Sequence, residues 1–139
     1  MTLTFYTHPQ SRGRITHWML EELGQPYETV VLDYGTTMKA PAYLAINPMG
    51  KVPALVHDGQ AITEGAAIIT YLADAFPAAG LMPANRAAFY RWMFFGAGPV
   101  EAAVTNKALG VQVPPERRGM VGYGSLEAVT DTLAAQLEK

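Results

Sequence analysis

Two short runs of this 139-residue chain hold residue types suited to binding: Asn47-Pro48-Met49-Gly50-Lys51-Val52-Pro53-Ala54-Leu55 and Thr63-Glu64-Gly65. Proline cannot donate to a β ladder and is confined to strand starts, edges and bulges. Pro53 stands directly before Ala54-Leu55-Val56, a short apolar run that reads as a strand. Fixed there, above all as a cis peptide, it turns the N–H and C=O of Val52 outward. An extended peptide can then pair with those two groups as an added strand. Thr63-Glu64-Gly65 begins a helix beside the same edge and brings a carboxylate and free helix-start amides. The chemistry implied is capture of a peptide-sized ligand.

The elements around these runs follow from periodicity. Leu3 to Tyr6 alternates and is β-rich, and Thr7 to Gln10 is a turn. Ser11 is placed to cap a helix through Ile15, Trp18, Met19 and Leu23 that Gly24 ends. Tyr27 to Leu32 is a second strand, reached through a helix and so expected to lie parallel to the first. Lys39 to Ile46 holds a short helix at most. Val52 to Val56 and Gln60 to Ile62 form a hairpin around His57-Asp58-Gly59, with Asp-Gly as the turn signal. From Glu64, the residues Ala67, Ile68, Tyr71, Leu72 and Ala75 recur at helical spacing until Phe76-Pro77. The order βαβαββα, giving a mixed four-stranded sheet, is that of an α/β thioredoxin-like domain.

That domain is expected over residues 1–79, with a linker at 80–84 and part of an all-α domain at 85–139. The helix from Arg86 to Leu109 is rich in aromatics and is interrupted at Gly96 and Gly98-Pro99. Gly110 to Gly124 is loop-like, and a final helix runs from Ser125 to Lys139.

Half of the residues are hydrophobic, enough for a real core, and the net charge is −2. No basic stripe marks a nucleic-acid surface. The chain has no cysteine, which excludes disulfides, zinc–thiolate sites and a cysteine nucleophile. No histidine pair has metal-ligand spacing, so no metal is expected. No signal peptide and no apolar run of spanning length is visible, so the expectation is a cytoplasmic protein without a membrane partner.

The Ser11-Arg12-Gly13-Arg14 helix start, the Asn47–Leu55 motif and Thr63-Glu64-Gly65-Ala66-Ala67-Ile68 leading into Tyr71-Leu72 together resemble the cytosolic glutathione S-transferase family of bacterial type. The resemblance covers the first 80 or so residues well and the helical part by position and composition. It implies that Lys51 and Val52, beside Pro53, contact the glycyl and cysteinyl backbone of glutathione. Glu64 then accepts the γ-glutamyl ammonium, Gly65 offers its amide to the adjacent carboxylate, and Arg12 assists electrostatically. Family members usually carry Ser or Thr where this chain has Gly65, so a hydroxyl donor is absent while the helix-start amides remain. The family's helical domain also has more helices than fit before Lys139.

Such enzymes activate a thiol. A free thiol with a pKa near ~8.5 is about 3% thiolate at pH 7, and lowering that pKa by about two takes roughly 2.7 kcal/mol. One charge-assisted hydrogen bond supplies about 1.5–3 kcal/mol and a helix N-terminus about 0.3–1 kcal/mol. One donor at the start of the first helix suffices. The resemblance points to Ser11 first, with Thr7 and His8 in reserve. Tyr90 or Phe94 would line the electrophile pocket, and a homodimer is expected.

Each residue also has a plainer reading. Ser11 is accounted for as a helix cap and Glu64 as a complement to the helix dipole. His17 and His57 read as surface or turn residues, and Trp18 as packing. Three functions follow. The first is a glutathione transferase acting on electrophilic small molecules, a detoxification chemistry. The second is a glutathione-dependent peroxidase or disulfide reductase that uses no protein cysteine. The third is a non-catalytic interaction module on the same scaffold.

Overall fold

The computed structural model describes all residues, 1–139, and divides into two compact units, Met1–Ala84 and Asn85–Lys139. In the first unit, strand β1 (Leu3–Thr7) leads through helix α1 (Gly13–Leu23) to β2 (Glu28–Val31). A 3₁₀ turn at Thr37–Lys39 and the single-turn helix α2 (Pro41–Leu44) follow. Strands β3 (Ala54–His57) and β4 (Gln60–Thr63) form a hairpin, and helix α3 (Gly65–Ala75) closes the unit. The sheet order is β2-β1-β3-β4, with β1 and β2 parallel and the other pairs antiparallel. This is the mixed sheet that the element order implies.

Alternation along β1 gives the sheet two apolar faces. Leu3 and Phe5 join Leu20 and Leu23 of α1, Leu55 of β3, and Ile68 and Leu72 of α3 in the main core. On the opposite face Leu32, Met38, Tyr43 and Ala54 form a smaller cluster, with Tyr6 and Val52 packed against it. A Leu or Ile buried in this way contributes about 1.5–3 kcal/mol, so the sheet and its three helices hold the loops between them.

The hairpin turns on Asp58 and Gly59, both at positive φ (48° and 84°), the backbone of a two-residue turn matched to strand twist. Strand β3 begins at Ala54, so Val52 and Pro53 stand outside the ladder that the run from Val52 to Val56 suggests. Helix α1 begins at Gly13, with Arg12 rather than Ser11 at the cap position. Its buried face is Thr16, Leu20 and Leu23, whereas Ile15 and Trp18 are exposed. Trp18 is therefore no packing residue; its indole N–H donates to Glu22 Oε1 (3.0 Å). His57 departs in the other direction. It is largely buried, stacked on Phe76, with Nδ1 2.8 Å from the Tyr71 hydroxyl.

In the second unit the expected helix from Arg86 to Leu109 is three segments. They are α4 (Arg86–Phe95), a π-turn at Gly96–Val100 and α5 (Glu101–Ala108). Pro99 lies inside the π-turn, where its missing N–H breaks the α ladder. A 3₁₀ stretch at Pro115–Met120 leads to α6 (Leu126–Leu137), which Ser125 caps by accepting the Ala128 N–H. No helix is long and apolar enough to cross a membrane.

Candidate functional site

Strand register gathers three loops at one end of the sheet. Tyr6 pairs with Ala54, and Ala54 with Thr63. The residues that follow β1 (His8 onward), those that precede β3 (Val52-Pro53) and those that follow β4 (Glu64-Gly65) therefore emerge side by side. Both α1 and α3 start from this end, so their amide-rich N-termini face the same region. His8, Ser11, Arg12, Lys51, Val52, Pro53 and Glu64 lie on these three loops, while Thr7, expected in the turn, is the last residue of β1 and Gly65 the first of α3. Tyr90 and Phe94 lie one turn apart on α4 of the second unit and are exposed.

The Val52–Pro53 peptide bond is cis. Before that bond the carbonyls of Met49, Gly50 and Lys51 are all held from within. Asn47 Oδ1 accepts the Met49 N–H (3.1 Å), and the Gly50 N–H donates to the Asn47 carbonyl (2.8 Å). Lys39 Nζ donates to the carbonyls of Met49 (3.2 Å) and Gly50 (2.7 Å). The Lys51 carbonyl accepts from both the Tyr43 hydroxyl (2.5 Å) and Asn47 Nδ2 (2.8 Å). At Val52 the pattern stops: no hydrogen bond within the protein uses its N–H or its C=O. The Lys51 N–H likewise has no partner, so a short stretch of unpaired main chain stands beside carbonyls held from within at Met49, Gly50 and Lys51 and could accept an added strand.

Gly50 makes the tight loop possible. Its φ of +57° favours glycine, and a β-carbon there would stand 2.9 Å from both Cδ and Nζ of Lys39. Burial pushes the Tyr43 phenol above its ordinary value, so the hydroxyl stays protonated and donates.

The α1 end is equally specific. Ser11 Oγ donates to the His8 carbonyl (2.6 Å) and accepts the Gly13 N–H (3.0 Å). Although Ser11 is not at the cap position, its hydroxyl thus satisfies the first amide of α1, and its single proton is directed at His8. Thr7 is buried, and its hydroxyl sits 3.5 Å from the same carbonyl, too long for an effective bond. The Gln10 N–H donates to His8 Nδ1 (3.1 Å), which puts the proton of the neutral ring on Nε2. The Tyr34 ring lies 4.6 Å from the imidazole. Arg12 is exposed at the head of α1.

At the α3 end Glu64 adopts φ 71° and ψ 118°, a backbone rare for a residue with a β-carbon. Its carboxylate is exposed and caps nothing, so it is left for another partner. Gly65 opens α3 and has only Pro53 Cγ near the position of an added β-carbon, at 3.9 Å. The Glu64 strain belongs to a class that clusters at ligand-binding positions. No three His, Cys, Asp or Glu side chains gather where they could hold a metal ion.

The family model for the N-terminal domain of glutathione S-transferase matches residues 12–75. A glutathione S-transferase of Xanthomonas campestris is 40% identical over 97 residues, 67% of this chain and 47% of that protein. The structure of a glutathione transferase from Methylococcus capsulatus superposes with a TM-score of 0.77 at 30% identity, covering 99% of this chain and 70% of that one. A glutathione transferase homologue from Sulfitobacter, solved with bound glutathione, gives 0.68 at 31% identity over 99% and 67% of the two chains. The chain belongs to the glutathione S-transferase family. It spans less than half the length of the curated relatives it matches.

Sequence reasoning missed Tyr43, Lys39 and the Gly13–Thr7 contact. Tyr43 reads as an ordinary apolar member of a short helix, and no local pattern shows that its hydroxyl reaches the Lys51 carbonyl. Asn47 stands inside the motif, but only its two bonds reveal that it folds the loop.

Proposed function

We propose that this chain carries the glutathione site of a glutathione transferase. The observation that carries the reading is the unpaired N–H and C=O of Val52, level with the starts of α1 and α3. Glutathione is a short extended peptide with a thiol at its centre and carboxylates at its ends. Its cysteinyl backbone pairs with Val52 as an added strand, and Lys51 attracts its glycyl carboxylate. The γ-glutamyl ammonium meets Glu64, and the neighbouring carboxylate meets the amides that open α3, beginning with Gly65. Arg12 adds positive potential at the head of α1.

The thiol is thereby laid toward the β1–α1 loop. Ser11 supplies the donor when its hydroxyl turns from the His8 carbonyl to the sulfur, with Thr7 and His8 as the other donors in reach of this loop. A hydroxyl need not ionise to act; it has only to point at the thiolate. The sulfur then forms a carbon–sulfur bond to an electrophilic carbon and expels the leaving group. Tyr90 and Phe94 are assigned to the electrophile, and the expected assembly is a cytoplasmic homodimer with α4 in a two-fold interface.

Titration calorimetry with glutathione tests the reading, followed by turnover of an activated chloroaromatic and of an organic hydroperoxide. Heat at submillimolar to millimolar ligand and faster chloroaromatic turnover support the transferase. Faster hydroperoxide turnover favours the peroxidase. No heat overturns both.

Two observations favour a second reading, a non-catalytic interaction module on the same scaffold. The Ser11 proton is already given to the His8 carbonyl, and Gly65 offers no hydroxyl. Absence of turnover of either substrate would select it, and absence of glutathione heat up to millimolar ligand would leave it alone standing.

A further inference from the structure

The Lys51–Val52 peptide is trans, unlike the bond that follows it. In a planar trans peptide the C=O and the next N–H point in opposite directions. The Lys51 carbonyl receives two donors, Tyr43 Oη at 2.5 Å and Asn47 Nδ2 at 2.8 Å. Both donor residues are buried, Tyr43 at 3% and Asn47 at 5% exposure, so the carbonyl points into the protein. The Val52 N–H must then point the other way, and no hydrogen bond within the protein uses it. Two donors on one carbonyl restrain the tilt of the peptide plane more than one does.

We propose that Tyr43 and Asn47 are positioning residues whose shared grip on the Lys51 carbonyl aims the Val52 N–H at the ligand. The inference rests on the glutathione reading above and adds to it residues that need not touch glutathione. Lys39 and Asn47 Oδ1 brace the two preceding residues, so the peptide plane has a fixed base.

Tyr43→Phe tests the proposal, because it keeps the ring packed 5.6 Å from that of Tyr6 and removes only the donor. The expected result is a three- to tenfold rise in the glutathione dissociation constant by calorimetry. Turnover of the chloroaromatic at saturating glutathione stays within twofold, since the groups facing the sulfur are untouched. Deuterium exchange on the wild-type chain is the second measurement, and it requires no variant. The Val52 amide should exchange rapidly without glutathione and slow markedly with it.

Equal glutathione affinity in wild type and Tyr43→Phe overturns this inference and leaves the glutathione reading standing. So does a Val52 amide that is already protected without ligand. Absence of any binding to the wild-type chain overturns the reading itself, and the inference with it.

Discussion

Gly13 lies against Thr7 so closely that a β-carbon on it would stand 2.1 Å from the Thr7 hydroxyl oxygen and 2.9 Å from Ser11 Oγ. The first residue of α1 therefore has to be glycine for the β1–α1 loop to close as it does. Gly13→Ala is expected to push both hydroxyls away, at a cost of about 1–3 kcal/mol typical of overpacking a tight site. Thermal unfolding should show a lower midpoint. Calorimetry should show weakened glutathione binding, because the displaced loop carries the candidate donors. A midpoint within a degree of wild type would mean that the loop has more room than these contacts imply.

Ser11→Ala removes two bonds at once, the donation to the His8 carbonyl and the acceptance from the Gly13 N–H. A stability loss of about 1 kcal/mol is expected from the lost capping-type bond. If Ser11 also donates to the thiolate, turnover should fall by tenfold or more with glutathione affinity changed less than twofold. An unchanged rate alongside the stability loss moves the donor role to Thr7 or His8.

Glu64 and Gly65 should respond in opposite senses. Glu64→Gly relieves the positive φ of 71°, so the protein should gain roughly 1 kcal/mol while glutathione binds several-fold more weakly. Gly65→Ser meets nothing closer than Pro53 Cγ, at 3.9 Å from the added β-carbon, and so should fold normally. With glutathione bound as proposed, it adds a hydroxyl beside the γ-glutamyl carboxylate and is expected to tighten glutathione several-fold. Chemical denaturation and calorimetry on the same samples separate the two effects. Loss of stability in Glu64→Gly would show that the carboxylate serves the fold.

Asp58 ties the start of β1 to the β3–β4 turn. Its Oδ1 accepts the Thr2 N–H at 2.7 Å, and the Asp58 N–H donates to the Thr2 carbonyl at 3.0 Å. The Thr2 amide, the terminal ammonium and His57 hold the carboxyl below its ordinary 3.8. A depressed carboxyl pKa stabilises the fold above the unfolded value and ceases to do so as pH falls through the lower folded value. Asp58→Asn, which tolerates the φ of 48° there, should lower the denaturation midpoint at neutral pH. The gap between variant and wild type should then close below pH 3.8. A gap that persists at the lowest pH would assign it to the turn geometry instead.

The order of elements and the candidate edge at Val52-Pro53 could be read in the chain itself. Asn47–Leu55 is informative because proline has few tolerated places in a sheet, and Asp58-Gly59 because few residues accept the backbone of a two-residue turn. These are local constraints, written in single residues and their neighbours. The buried face of α1 was not legible: Ile15-Trp18-Met19 and Thr16-Leu20-Leu23 both recur at helical spacing, and packing on the sheet and α3 selects the second. Thr16 is fully buried and its hydroxyl has no partner, a choice that no rule of hydrophobicity foretells.

What the sequence determined alone is the family, the strand and helix order, and the place of Pro53 just ahead of β3. The tertiary structure decided where the polar groups around that proline are directed. It turned the Ser11 proton to His8, placed the Tyr43 hydroxyl under Lys51 and left Val52 unpaired. Those outcomes depend on atoms brought together from positions up to eight residues apart in one loop and across three strands in the sheet. Hydrogen-bond direction is a property of that assembled geometry, and residue type supplies only the donors and acceptors.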